Sequence, residues 1–378
     1  MSTPDPQALA TIDLDALAHN VAVVRGRAGG TPVMAVVKAD GYGHGAVPIA
    51  RAMLAAGVRE LGVCTLHEAL ELRSAGIDEP ILSWLHSPDA DFAPAIEADI
   101  ELGVSTTRHL LAVAEAGRRL GVAATVTIKV DTGLNRNGVN AEDWPELLAS
   151  AVKQQAAGHV RVRGVFTHFA RADEPDHPVI DEQAAVLRAM VDQARSAGLD
   201  PEVVHAANSA ATLTRPDLRF DMVRPGIALY GLSPMPEVGD FDLRPVMRLS
   251  GRLVNVKAVR AGDGVSYGHT WTAPRDTIVG VVPLGYADGI PRTLSNRFDV
   301  TLGGVRYPNV GRVCMDQFVI DLGPGSTAQV GDEVVIFGDP RRGEPHAQEW
   351  ADALGTIHYE VVTGVKGRVE RRYIGGAR

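Results

Sequence analysis

Cysteine is nearly missing from this 378-residue chain: Cys64 and Cys314 are its only two, and neither belongs to a CxxC pair. A disulfide scaffold is thereby excluded, no zinc knuckle or thiol-redox motif is present, and a reducing cytoplasm fits. No metal site is expected. A basic surplus is missing too, with 37 Lys and Arg against 46 Asp and Glu and a net charge of −9. Nucleic-acid binding over a broad surface needs a basic face, so no nucleic-acid partner is expected. The longest apolar runs, such as 277–286, fall well short of the ~20 residues that span a bilayer. No membrane partner is expected either. The opening stretch MSTPDPQALATIDLDAL has no basic segment followed by an apolar one, so no signal peptide is expected.

What remains is an ordinary globular composition, 45% hydrophobic and 22% charged. Chains beyond ~250–300 residues tend to divide into more than one core, which predicts two domains. Short β-branched runs at 33–38, 61–65, 81–85, 100–105, 125–131, 161–168, 203–207 and 223–230 alternate with helix-like stretches such as 67–75, 107–120, 144–157 and 180–197. Thr65 with Glu68 has capping-box spacing, and Ser87-Pro88-Asp89 puts a proline at a first helical position. Gly57, Gly76, Gly121 and Gly198 stand where helices should stop. Eight strand-then-helix units predict an α/β fold, a (β/α)8 TIM-type barrel. An open doubly wound sheet is the alternative; the eight consecutive units and the lack of GxGxxG after the first strand weigh against it.

The texture changes near 236–244. Beyond it, strand-like stretches at 247–259, 277–282, 299–302, 305–308, 317–321 and 333–337 are separated by Gly-rich turns, with one short helix around 346–354. The reading is a barrel domain over 1–240 and a mostly β C-terminal domain over 241–378. An opening strand at 10–13 precedes the barrel and is a candidate to pair with the second domain.

Functional side chains of a barrel gather at the C-terminal ends of its strands. The first of these reads AVVKADGYGHG, with Lys38 closing an apolar run. Burial there would lower the lysine pKa toward a nucleophilic, Schiff-base-forming state; a lysine snorkelling to solvent is the alternative on position alone. The glycines around Tyr42 allow backbone to approach a ligand closely. The last two ends read Asn208-Ser209-Ala210-Ala211 and Arg224-Pro225-Gly226-Ile227, where barrels commonly bind phosphate. Ser209 can donate its hydroxyl, Gly226 and Ile227 their N–H groups, and a short helix opening at Ser209 would favour an anion.

The stretch AVVKADGYGHG resembles the cofactor-lysine motif of the alanine racemase family. KVDTGLNRNG, FTHFA, ANSAA, RPGIALYG, GDGVSYGHTW, GRVCMDQ and the closing GTIHYEVVTGVKGRVERRY resemble the same family in the same order, through both domains. The resemblance implies an isomerase that interconverts L- and D-alanine on pyridoxal 5'-phosphate and supplies D-alanine for peptidoglycan. It makes Lys38 the aldimine-forming lysine and the base facing D-alanine. Tyr267 becomes the base facing L-alanine, since inversion needs proton transfer on both faces of Cα. A free tyrosine titrates near ~10 and must be lowered to act near neutrality, for which His168 and Arg224 are candidate cations.

The resemblance further implies that Tyr42 and Tyr359 bind the phosphate and that Arg224 faces the pyridine nitrogen. A guanidinium cannot accept the ring proton, so the electron sink is shallower and transamination is suppressed. Arg136 would contact the cofactor's phenolic oxygen and lie near the substrate carboxylate. Lys129 beside it would be carbamylated, turning a repelling cation into an anion. Met315 would bind the substrate carboxylate through its N–H, supported by Asp316; Cys314 reads otherwise as a small buried hydrophobe. Trp84 stands where the family more often has a smaller residue. In the family Tyr267 and Met315 come from the partner's β domain, so a homodimer with shared active sites is implied. Rival readings are a serine, lysine or broad-specificity racemase of the same fold, a related decarboxylase, which Arg224 opposes, and a non-catalytic cofactor-binding protein, which the β domain opposes.

Overall fold

The computed structural model describes residues 6–376. Strand β1 (Ala8–Asp13) runs into α1 (Leu14–Ala28), and Asp13 sets the boundary: its carboxylate accepts the N–H groups of Asp15 and Ala16, both at 2.9 Å. Seven parallel strands then pair in chain order: β2 (Met34–Val36), β3 (Glu60–Val63), β4 (Ile81–Ser83), β5 (Glu101–Val104), β6 (Ala124–Lys129), β7 (Val160–Phe166) and β8 (Val203–His205). They are short and almost wholly buried, as strands covered by helices on the outside must be.

The connections carry the left-handed turn α2 (Lys38–Tyr42) and the helices α3 (Ala46–Ala55), α4 (Leu66–Ser74), α5 (Ala93–Glu97), α6 (Thr107–Leu120), α7 (Trp144–Ala156), α8 (Val179–Ser196) and α9 (Ser209–Thr214). The Thr65–Glu68 capping box opens α4, and left-handed Gly121 closes α6. Ser87-Pro88-Asp89 does not start a helix. Ala90 N–H returns to the Ser87 carbonyl and closes a single turn, and α5 begins only at Ala93, with Pro94 in its first turn.

The stretch 223–230 is not a regular eighth strand. Two isolated parallel bridges stand at its start, Val223 to Val33 and, one residue before it, Met222 to His205. Pro225 then lacks an N–H to continue the ladder, and the chain winds into a 3-10 helix at Ile227–Tyr230. Those two bridges reach both edges of the seven-stranded sheet, so the barrel still closes.

The rest is mostly β. The strands are β9 (Met247–Arg252), β10 (Asn255–Val259), β11 (Gly264–Val265), β12 (Trp271–Thr272), β13 (Thr277–Val282), β14 (Asp299–Leu302), β15 (Val305–Pro308), β16 (Phe318–Gly323), β17 (Glu333–Phe337) and β18 (Glu370–Ile374). The run expected over 247–259 is broken at 253–254, and its halves join different sheets. One sheet has the order β15-β14-β17-β9-β1-β18, so the chain's first strand lies between β9, antiparallel, and β18, parallel. Helix α10 (Ala347–Leu354) packs Trp350 edge-on against Phe298 and Phe337. Helix α11 (His358–Thr363) and β18 carry the chain back to the barrel mouth, where Arg371 Nε donates to the Gly43 carbonyl at 2.9 Å. Among the described residues no helix is long and apolar enough to cross a membrane.

Candidate active site

A cavity of about 300 Å³ opens at the C-terminal ends of the barrel strands, lined among others by Lys38, Lys129, Arg136 and Arg224. Four cationic side chains meet there, and among the described residues no carboxylate lines the cavity. Such a set suits a ligand carrying several negative charges.

Lys38 does not end β2 but begins the tight turn that follows it. Ala39, Asp40 and Tyr42 all have left-handed φ, near 53°, in company with Gly41 at 60°. Non-glycine residues pay for that conformation with strain, which persists only where surroundings enforce it. Here Glu68 accepts the Ala39 N–H at 2.7 Å, Asp40 accepts the Ala46 N–H at 2.9 Å, and Arg371 pairs with Asp40 at 2.7 Å. Gly43 is obligatory on two counts: its φ is +81°, and a Cβ there would sit 2.3 Å from the Val362 carbonyl oxygen, at the end of α11. Burial lowers the Lys38 pKa; Cys64 and Glu68 oppose the shift, while Arg136 and Arg224 add to it.

Arg224 is buried without a carboxylate. Its guanidinium donates to Nδ1 of His205 at 2.8 Å and to the Thr167 carbonyl at 2.8 Å, and lies 3.4 Å from Nδ1 of His168. Because arginine only donates, both Nδ1 atoms must be unprotonated. Burial and then Arg224 push His168 down to about 3 and His205 well below the ordinary imidazole value. Burial also lowers Arg224 itself to about 10, which still leaves it charged at neutral pH. The face of Phe166 receives Arg224 at 5.4 Å and Lys129 at 5.6 Å from the ring centre. Lys129 falls to about 8, through burial first and the two neighbouring arginines next.

On the opposite wall, Tyr42 stacks on Tyr230 at 4.7 Å and lies 6.2 Å from Tyr359. Burial raises the pKa of both lining tyrosines, Tyr42 and Tyr359, so they are protonated donors. Asn208 caps α9 through the Ala211 N–H. Ser209 Oγ accepts the N–H groups of Gly226 and Ala228 at 2.9 and 3.3 Å. The Gly226 N–H is therefore engaged by the serine rather than free, and Ser209, Gly226 and Ile227 all line the cavity. Trp84 lies across the barrel mouth between β3 and β5. A Cβ on Gly62 would come within 2.7 Å of its ring, and one on Gly103 within 2.9 Å of its Cβ.

Tyr267 and Met315 are not brought to this cavity by their own chain. They are 71% and 53% exposed on the β domain. Ser266 Oγ donates to the Arg312 carbonyl at 2.7 Å and touches the half-buried Cys314 Sγ at 3.3 Å, so the turns carrying Tyr267 and Met315 form one surface. Asp316 pairs with Arg368 at 2.8 Å. Sequence reasoning overlooked His205, although it lies within the strand predicted over 203–207 and ends the observed β8, and overlooked Glu68's second role behind its evident capping box. Gly62 and Gly103 carried no signal, because what they make room for comes from another strand.

The alanine racemase N-terminal domain family matches residues 12–234 and its C-terminal domain family residues 246–373. The chain is 56% identical over 374 residues to the alanine racemase of Mycolicibacterium vanbaalenii, covering 98% of this chain and 96% of that one. It is 54% identical to the alanine racemase of Mycobacterium tuberculosis, covering 98% and 97%. The crystal structure of alanine racemase from D-cycloserine-producing Streptomyces lavendulae superposes with a TM-score of 0.97 at 51% identity, over 100% of this chain and 99% of that one. Both domains match in order and more than half of the residues are shared along nearly the whole length: the chain belongs to the alanine racemase family.

Proposed function

We propose that this member of the family is an isomerase that interconverts L- and D-alanine, with pyridoxal 5'-phosphate as cofactor and a homodimer as the working form. The observation that supports it most is the cavity in which a buried lysine of lowered pKa meets three further cations and no carboxylate. That donor set fits an aromatic phosphate aldehyde. Lys38 Nζ would hold the aldehyde carbon, Tyr42, Ser209, Ile227 and Tyr359 the phosphate, Arg136 the phenolic oxygen and Arg224 the ring nitrogen. When bound, the cofactor withdraws electrons from the bonds at the substrate's α-carbon.

The chain's own groups do the rest. Arg224, a pure donor gripped by His205 and Thr167, keeps an acceptor atom facing it unprotonated. A Lys38 amine of lowered pKa gives up its proton more readily than an ordinary lysine, as a proton carrier must. One such group returns a proton to the face it left, so inversion needs a second on the opposite face. Tyr267 of the partner subunit would serve there, and the partner's Met315 would bind the substrate carboxylate. The exposure of both residues, on one surface remote from their own cavity, supports that sharing. Reaction in the cytoplasm, with D-alanine passing to peptidoglycan, belongs to the same reading.

The test supplies L-alanine and pyridoxal phosphate and follows D-alanine with a D-amino-acid oxidase assay. Rapid formation that vanishes in Lys38→Ala supports the reading. A protein that binds the cofactor yet racemises serine or lysine in preference to alanine would replace the substrate and keep the chemistry.

A further inference from the structure

Away from the cavity, three loops of the β domain converge on one buried carboxylate. Asp288 has a side chain only 1% exposed. It accepts the Gly285 N–H at 3.0 Å and the Nε and terminal nitrogen of Arg368 at 3.0 and 2.9 Å. The second terminal nitrogen of Arg368 reaches past it to Asp316 at 2.8 Å. One planar guanidinium thus bridges a buried and an exposed carboxylate, a geometry lysine cannot copy.

The loop that Asp288 holds is bonded directly to the Met315 segment. Tyr286 and Ala287 N–H groups donate to the carbonyls of Cys314 and Met315, both at 3.0 Å. Gly285 lies so close that a Cβ would sit 2.3 Å from the Met315 carbonyl oxygen. On the other side, the Lys366 N–H bonds the Asp288 carbonyl, and a Cβ on left-handed Gly367 would meet the Ala287 oxygen at 2.7 Å. Met315 has its carbonyl fixed from behind and its next neighbour, Asp316, fixed by Arg368, although its own side chain is half exposed. A backbone amide that must bind a carboxylate within a few tenths of an ångström needs such support from rigid surroundings.

We propose that Arg368 and Asp288 are positioning residues for the substrate: they hold the Met315 amide in the orientation that binds the carboxylate of alanine in the partner's cavity. This rests on the reading of Met315 given above. Neither residue lines the cofactor cavity of its own chain. Their effect is therefore confined to substrate affinity, with cofactor binding untouched.

The experiment compares the parent homodimer with Arg368→Met and Arg368→Lys. Arg368 is 58% exposed on its side chain, so its removal need not unfold the domain. Steady-state kcat and KM are measured for both enantiomers, together with the inhibition constant of propionate, which is alanine without its amino group, and cofactor retention by absorbance. Arg368→Met is expected to raise both KM values and the propionate constant by about tenfold with kcat within about twofold and cofactor retention unchanged, and Arg368→Lys to fall between. Unchanged KM and propionate constants in Arg368→Met overturn the inference and leave the racemase reading standing, as does loss of cofactor with a parallel fall in kcat. A parent protein that neither racemises alanine nor binds propionate overturns both.

Discussion

Glu68 Oε1 accepts the backbone N–H of Ala39 at 2.7 Å, one residue beyond Lys38, while its Oε2 accepts those of Cys64 and Thr65 at 2.8 and 2.9 Å. One carboxylate closes the capping box of α4 and pins the left-handed turn that carries the candidate cofactor lysine. Removing it leaves three N–H groups without their acceptor. Glu68→Ala is expected to cost about 1–3 kcal/mol of stability and to speed loss of pyridoxal phosphate on dialysis, with Glu68→Gln intermediate. Chemical denaturation and absorbance during dialysis read the two effects separately. A destabilised variant that keeps its cofactor as the parent does would show that the turn does not depend on Glu68.

Among the described residues, the hydrogen-bond partners of buried Arg224 are neutral acceptors. Arg224→Glu replaces a pure donor by a group that can share a proton with a ring nitrogen. It is expected to slow racemisation by at least about tenfold and to raise transamination, measured as pyruvate released from alanine per turnover. Slower racemisation with no added pyruvate would leave Arg224 a merely structural cation.

Stability should respond to pH at both ends. Burial holds His44, His86 and His109 at about 4 and His168 at about 3, against 6.5 for an ordinary imidazole. Below pH ~6.5 the unfolded chain takes up protons that the native state refuses, so stability is lost as the pH is lowered, by on the order of several kcal/mol in total. Lys129 acts in the alkaline range. The native amine releases its proton at about 8 and the unfolded one at 10.5, so stability rises with pH between those values. Denaturation of cofactor-free protein in carbonate-free buffer is expected to show both slopes, and Lys129→Met to flatten the second alone. The same neutral amine is the form that adds carbon dioxide. Labelled bicarbonate should give a carbamate carbon signal by NMR that Lys129→Met lacks.

Shared sites predict complementation. Lys38→Ala and Tyr267→Phe chains should each be nearly inactive alone. A hybrid dimer has one cavity with both lesions and one with neither, so equal mixing with subunit exchange should restore about one quarter of parental activity. No recovery, with exchange confirmed by mass, would mean that Tyr267 serves its own chain.

Much of this molecule is legible in its residues because the signals are local. Burial on both faces makes barrel strands read as apolar runs, and Thr65 with Glu68 names a helix start within four residues. Lys38, Arg224, Ser209 and Tyr359 follow from motifs of a few residues each. The misreadings arose where local patterns met distant partners. Ser87-Pro88-Asp89 has the form of a helix start but closes only a turn. The run 247–259 interleaves apolar with polar residues in strand fashion and has no strong turn signal at its middle, yet its halves were claimed by separate sheets.

By itself, then, the sequence determined the alternation of strands and helices, the cationic set, and the turn chemistry, because each depends on neighbours a few residues apart. Only the tertiary structure decided the rest. It placed β1 between β9 and β18, more than two hundred residues away. It closed the barrel with two bridges instead of a strand. It put Arg224 against two imidazoles that its charge keeps neutral, and Glu68 against the residue after Lys38. It left Tyr267 exposed, away from the cavity of its own chain. These are contacts between side chains remote in sequence, and their energies depend on burial and orientation, which arise only when the whole chain has packed.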